Sequence, residues 1–193
     1  CDLLASDAPA PGGGSVAGVV GALGVALGEM SLAFTRGKKK YAEHEAFYAH
    51  LAGRLERARA MFQDLVADDM SAYRLYQESS RLPDGPQKAE AVQLATAAAI
   101  DVPRQAMKLA LAVLEDLREL AGKCNPWLIT DLMAAAVLVQ AVVRLSDYNV
   151  RVNLPSLADK DQAEEVRSAS AADVRRADAA QQAIEAAGGR ILG

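Results

Sequence analysis

Aromatic side chains are scarce in this sequence: three Phe, five Tyr and one Trp make up 5% of 193 residues. Strand-rich domains draw on aromatic and β-branched side chains, so a chain poor in aromatics and rich in alanine points to packed helices. Cysteine is almost absent. Cys1 and Cys124 alone cannot build a disulfide framework, and a reduced, cytoplasmic setting is expected. Histidine occurs twice, as His44 and His50 on a charged segment, without the spacing of a metal site. Positive charge is not in excess. The net charge of −4 argues against a nucleic-acid partner, whose footprint is basic. Asp2 and Asp7 stand where a secretory signal would be basic. The uncharged stretch Ala8–Gly28 is short of apolar residues: its first third is Pro and Gly punctuation, leaving only Val16–Leu27. A spanning helix needs about 20 apolar residues, so we expect a buried core helix and no membrane partner.

What is present is long helical patterning over one domain, residues 1–193, forming an all-α bundle of long antiparallel helices. Leu3–Asp7 reads as the tail of a short helix, and Ala8–Gly14 as a breaker. Ser15 is a plausible N-cap for a helix over Val16–Thr35. That helix is striped with Gly14, Gly18, Gly21, Gly24 and Gly28, each costing about 1 kcal/mol relative to Ala. The stripe implies close approach of another backbone or a ligand. Gly37 is a natural residue after its end, and Arg36 with Lys38–Lys40 complements the C-terminal dipole. A second helix, Glu43–Ser79, carries an inward stripe that ends in Phe62, Leu65, Val66, Tyr73 and Tyr76. After the turn Leu82–Pro86, a third helix, Gln87–Leu120, should kink or split at Pro103. Asn125-Pro126 opens a fourth helix that runs to Tyr148 and ends in Asn149–Pro155. The last helix spans Lys160–Ala187, with Gly188-Gly189 as its stop.

Two carboxylates break the apolar pattern. Asp69 lies at helical spacing from Leu65, Val66 and Tyr73, on the apolar face of its helix. Asp131 is the only charged residue between Lys123 and Arg144, which predicts a buried carboxylate, either a structural one satisfied by hydrogen bonds or one tuned for proton transfer. Asn149 and Asn153 flank Val-Arg-Val and offer amides that could read a heterocycle edge or cap the chain. Pro11–Ser15 matches neither nucleotide-binding glycine motif, and no strand precedes it. No Gly-x-Ser-x-Gly elbow occurs, and Cys124 has no activating neighbour in sequence.

Together, Pro11-Gly12-Gly13-Gly14-Ser15, Gly37-Lys38-Lys39-Lys40-Tyr41, Ala67-Asp68-Asp69 with Ala72-Tyr73, Val102-Pro103, Asn125, Thr130-Asp131 and Asn149–Leu154 form an ordered set. The set resembles the formimidoyltetrahydrofolate cyclodeaminase/methenyltetrahydrofolate cyclohydrolase family over nearly the whole chain. Cys124 stands where a Gly usually precedes the Asn. The resemblance implies a usually dimeric, all-helical enzyme acting on a folate, polyglutamylated forms included. It implies no metal and no cofactor beyond tetrahydrofolate as substrate. The favoured reaction is hydrolysis of methenyltetrahydrofolate to formyltetrahydrofolate. The alternatives are cyclodeamination of formimidoyltetrahydrofolate with loss of ammonia, and a non-catalytic folate-binding scaffold. Asp131 and Asp69 would converge and share acid and base duties. Gly12, Gly13, Gly14 and Ser15 would receive the ring or a carboxylate, and Lys38, Lys39 and Lys40 with Tyr41 the glutamate tail. Asn125, Asn149 and Asn153 would orient the substrate.

Overall fold

The computed structural model describes residues 1–193 and has five long helices and no strand. They are α1 (Gly13–Ala33), α2 (Glu45–Ser80), α3 (Pro86–Ala121), α4 (Ile129–Asn153) and α5 (Lys160–Leu192). Short 3₁₀ turns at Lys39–His44, Pro126–Leu128 and Leu154–Ser156 lie between them. Successive helices alternate in direction. α1 packs against α2 and α4, and α3 closes the core against α2, α4 and α5.

The glycine stripe accounts for the position of α1. A Cβ on Gly18 would lie 2.8 Å from the Phe62 carbonyl oxygen of α2, and one on Gly21 only 2.5 Å from the Phe62 ring. On the other flank, a Cβ on Gly24 would lie 2.8 Å from Val139 and 3.2 Å from the Ala135 carbonyl of α4. Gly28 makes the same close approach to Leu117 of α3. The stripe therefore serves contacts within the chain: α1 lies too deep between its neighbours for any side chain there. Its outer face is another matter. Val19, Leu23 and Phe34 are 50%, 56% and 54% exposed, so α1 is buried on one side only. By length and composition alone, α1 and the Pro126–Ser156 segment are apolar enough to cross a membrane.

Several sequence expectations need correction. Leu3–Asp7 forms turns and is not the tail of a helix. Ser15 does not cap α1, which starts at Gly13 with Gly12 as N-cap, because Ser15 has another partner. Pro103 does not split α3, which runs unbroken through it; only the hydrogen bond that its missing N–H would have made is lost. α4 does not end at Tyr148 but continues to Asn153, and a 3₁₀ turn at Leu154–Ser156 closes it. α5 runs through Gly188-Gly189 to Leu192, and Gly188 gives room to Met133, with its Cγ at 3.0 Å from a Cβ there. The carboxylates buried in this bundle are Asp147 and Asp173, 8% and 5% exposed. Asp147 accepts from Ser170 at 2.7 Å, and Asp173 pairs with Lys108 and Arg176. A buried carboxylate needs such partners, and these two tie α5 to α3 and α4.

Candidate active site

One end of the bundle gathers the N-terminus of α1, the C-terminal parts of α2 and α4, and the first half of α3. There Asp69 comes up beside the first turn of α1. Its Oδ2 accepts a hydrogen bond from Ser15 Oγ at 2.7 Å. Ser15 is buried, so this bond both satisfies its hydroxyl and fixes the carboxylate. A Cβ on Gly14 would sit 2.6 Å from Asp69 Cγ and 3.0 Å from its Oδ2; only a glycine leaves room for the carboxyl group here. The first helical hydrogen bond of α1 is from Val16 N to Gly12 O, so the N–H groups of Gly13, Gly14 and Ser15 have no helical acceptor.

Asp69 opens onto a cleft of about 400 Å³, whose walls include Tyr73, Tyr76, Val102, Asn149 and Asn153. Asn149 donates from Nδ2 to the Leu145 carbonyl at 2.8 Å, and its amide lies 3.6 Å from where a Gly13 Cβ would be. Asn153 donates to the Asn149 carbonyl at 2.8 Å and to the Ala99 carbonyl at 3.4 Å. Asn153 thus uses both N–H bonds on backbone carbonyls and Asn149 one, and each keeps Oδ1 as a free acceptor. Gly12, Gly13, Gly14, Ser15, Asp69, Asn149 and Asn153 are brought together as the sequence suggested.

Asp131 is not among them. The contacts of Gly13 with Asn149 and of Gly24 with Leu138 set an antiparallel register that places Asp131 at the level of Ser31. At 1.5 Å rise per residue, about 25 Å of α1 separates it from Asp69. Nor is it fully buried: Asp131 is only partly buried and makes no side-chain hydrogen bond in the chain, because it lies in the first turn of α4 where neighbouring helices end. The two aspartates therefore do not converge within one chain, contrary to the expectation from sequence.

The same opposite end holds Lys38, Lys39 and Lys40, all exposed. Lys38 lies over the Phe34 ring and Lys40 over Tyr41. Tyr41 Oη donates to Asn125 Oδ1 at 3.4 Å. Asn125 is 7% exposed and its groups are used internally: its N–H donates to Thr35 Oγ1 at 2.9 Å, its Nδ2 to Phe34 O, and its Oδ1 accepts from Trp127 N. It seals the end of α1 onto the start of α4. Next to it Cys124 is buried, and desolvation pushes its thiol up to about 11.

Tyr73 and Tyr76 were expected in the core but are 38% and 39% exposed and line the cleft. Both sit at helical spacing from Asp69, a signal that could have marked them as site residues. Val152, inside the Asn149–Leu154 motif, lines the rim with Ala99 and Ser156, and the latter two carried no sequence signal.

An all-helical bundle with a polar cleft at one end, built on a glycine-opened helix and a seated carboxylate, defines a small-molecule-binding helical domain. Residues 1–172 match the formiminotransferase-cyclodeaminase family, and the chain belongs to it. The chain is 35% identical over 169 residues to the methenyltetrahydrofolate cyclohydrolase of Methylorubrum extorquens, covering 85% of this chain and 81% of that one. It is 30% identical to the formimidoyltransferase-cyclodeaminase of Sus scrofa over 81% of its own length, but spans only 30% of that larger protein. The crystal structure of formiminotetrahydrofolate cyclodeaminase from Thermotoga maritima matches with a TM-score of 0.89 and 29% identity, over 100% of this chain and 95% of that one.

Proposed function

We propose that this protein hydrolyses methenyltetrahydrofolate to formyltetrahydrofolate. The observation that carries the reading is Asp69, a carboxylate held by Ser15 with its second oxygen free at an open cleft. Similarity to a cyclohydrolase over most of both chains supports the choice of reaction.

In methenyltetrahydrofolate one cationic carbon bridges two nitrogens. Water adds to that carbon while Asp69 takes one of its protons, giving a tetrahedral adduct. Asp69 then returns the proton to the departing nitrogen. The C–N bond breaks, the hydroxyl oxygen becomes the formyl carbonyl, and its proton leaves to solvent. One proton is released per turnover. Asn149 and Asn153 accept from N–H groups of the pterin, and Tyr73 and Tyr76 offer apolar faces to the flat ring. The deaminase reaction passes through a similar adduct at the same carboxylate. Loss of the methenyl chromophore, faster than in buffer alone, is the expected result; its appearance from formimidoyltetrahydrofolate without such hydrolysis would select the deaminase instead.

We further propose that a second copy of the chain covers the outer face of α1 and completes the site. Val19, Leu23, Phe34 and the 89%-exposed Trp127 form an apolar surface that a helix in water does not leave open. The end of α1 after Ala33 is basic, with exposed Arg36 and Lys38–Lys40, and its other end carries Asp69 beside Ser15. A twofold pairing of α1 across Leu23 matches the two ends. It would carry the partner's Lys38–Lys40 and the partner's Asp131 towards Asp69, restoring the tail and acid roles that one chain cannot supply. Mixing an Asp69→Asn chain with a chain carrying Lys38, Lys39 and Lys40 all changed to Ala tests this. Activity above that of either parent supports a shared site. A monomer in solution, or no gain in verified mixed dimers, overturns it.

A further inference from the structure

Inside a helix each N–H donates to the carbonyl four residues back. Pro103 has no N–H, so the Ala99 carbonyl receives no helix bond from that position. Ala99 lines the cleft, and Asn153 Nδ2 donates to its carbonyl at 3.4 Å. The same nitrogen donates to the Asn149 carbonyl at 2.8 Å. A primary amide carries two N–H bonds, and here two carbonyls on different helices take one each. With both engaged, the amide plane is fixed and Oδ1 must turn away from the two carbonyls. Asn149, by contrast, makes one side-chain bond, to the Leu145 carbonyl on its own helix, and nothing comparable orients it across the cleft.

We propose that Pro103 is a positioning residue for the substrate. By withholding one helix hydrogen bond and crowding the carbonyl four residues back, it tilts Ala99 O out of its helix towards Asn153, and through Asn153 it fixes how an amide oxygen meets the N–H donors of the bound ring. The inference rests on the folate reading of the cleft. Ala at position 103 would supply the missing N–H and remove the ring that crowds the Ala99 carbonyl, drawing that carbonyl back onto its own helix and lengthening its 3.4 Å bond from Asn153.

The test is steady-state kinetics with methenyltetrahydrofolate on Pro103→Ala, Asn153→Ala and the double variant, each with a thermal melt. Pro103→Ala is expected to raise KM about 5–10-fold, the value of one misplaced hydrogen bond, with kcat within about twofold and no loss of Tm. Asn153→Ala is expected to raise KM at least as much, and the double variant no further, because Pro103 acts only through Asn153. A Pro103→Ala enzyme with unchanged KM beside an impaired Asn153→Ala enzyme overturns the inference, as does additivity in the double variant. If Asn153→Ala and Asp69→Asn both leave kcat and KM unchanged, the folate reading of the cleft falls and this inference falls with it.

Discussion

Replacing Gly14 by Ala separates the chemistry of Asp69 from the stability of the bundle. The new Cβ would lie 2.6 Å from Asp69 Cγ, whereas carbon atoms pack no closer than about 3.5 Å, so the carboxyl group must retreat by about 1 Å. Asp69 can do this by rotating into the cleft, which breaks its bond from Ser15. That loss costs about 1 kcal/mol and is offset by the roughly 1 kcal/mol that Ala gains over Gly in a helix. For a chain of this length the expected change in Tm is within about 3 °C. Turnover is expected to fall about 100-fold or more, the cost of a misplaced proton-transfer group. Gly18→Ala is the control. Its Cβ would meet the Phe62 carbonyl oxygen at 2.8 Å, and a backbone atom between packed helices cannot swing away. That variant should lose about 1–3 kcal/mol, and its Tm should drop by roughly 3–10 °C. Chromophore decay for kcat and a calorimetric melt for Tm read the two effects. A folded Gly14→Ala enzyme with kcat within about threefold of wild type would refute the assignment of Asp69.

Burial should leave Cys124 almost inert towards a thiol reagent at pH 8 while exposed Cys1 reacts; equal labelling of both in the native protein would contradict the packing. Its folded pKa of about 11 lies above the ordinary 9.0, so the unfolded chain deprotonates first. The contribution of this thiol to stability is therefore intact below about pH 9 and lost as pH rises to about 11, measurable as the difference between wild type and Cys124→Ala in alkaline melts. Because the proposed hydrolysis gives every proton transfer to Asp69 and water, a strong chelator should leave the rate unchanged, and a loss restored by an added divalent ion would bring a metal into the site.

Much of the architecture was legible because periodicity reports which face of a helix is apolar. The stripes of α1 and α2, the turn at Leu82–Pro86 and the start of the fourth helical segment at Asn125-Pro126 follow from local chemistry, and the structure agrees with them. Helix ends were less legible. Asn149–Asn153 looked like a stop, yet both amides bond back to carbonyls four residues earlier and stay helical. Pro103 looked like a break, yet one missing bond in a 36-residue helix held by packing on several sides does not interrupt it. Tyr73 and Tyr76 continue the inward stripe of α2, but they lie near its end, where the cleft replaces the core.

By itself the sequence determined the helices, the face each turns inward, the need for a close approach along α1, and the residue types able to move protons. It could not determine level. A carboxylate's position along a bundle depends on the register between neighbouring helices, and that register comes from contacts such as Gly18 on Phe62 and Gly24 on Val139. At 1.5 Å per residue, that register decided that Asp69 would meet Ser15 and the two asparagines. It also decided that Asp131 would lie at the far end of the bundle, where the 21-residue length of α1 alone already puts the lysines.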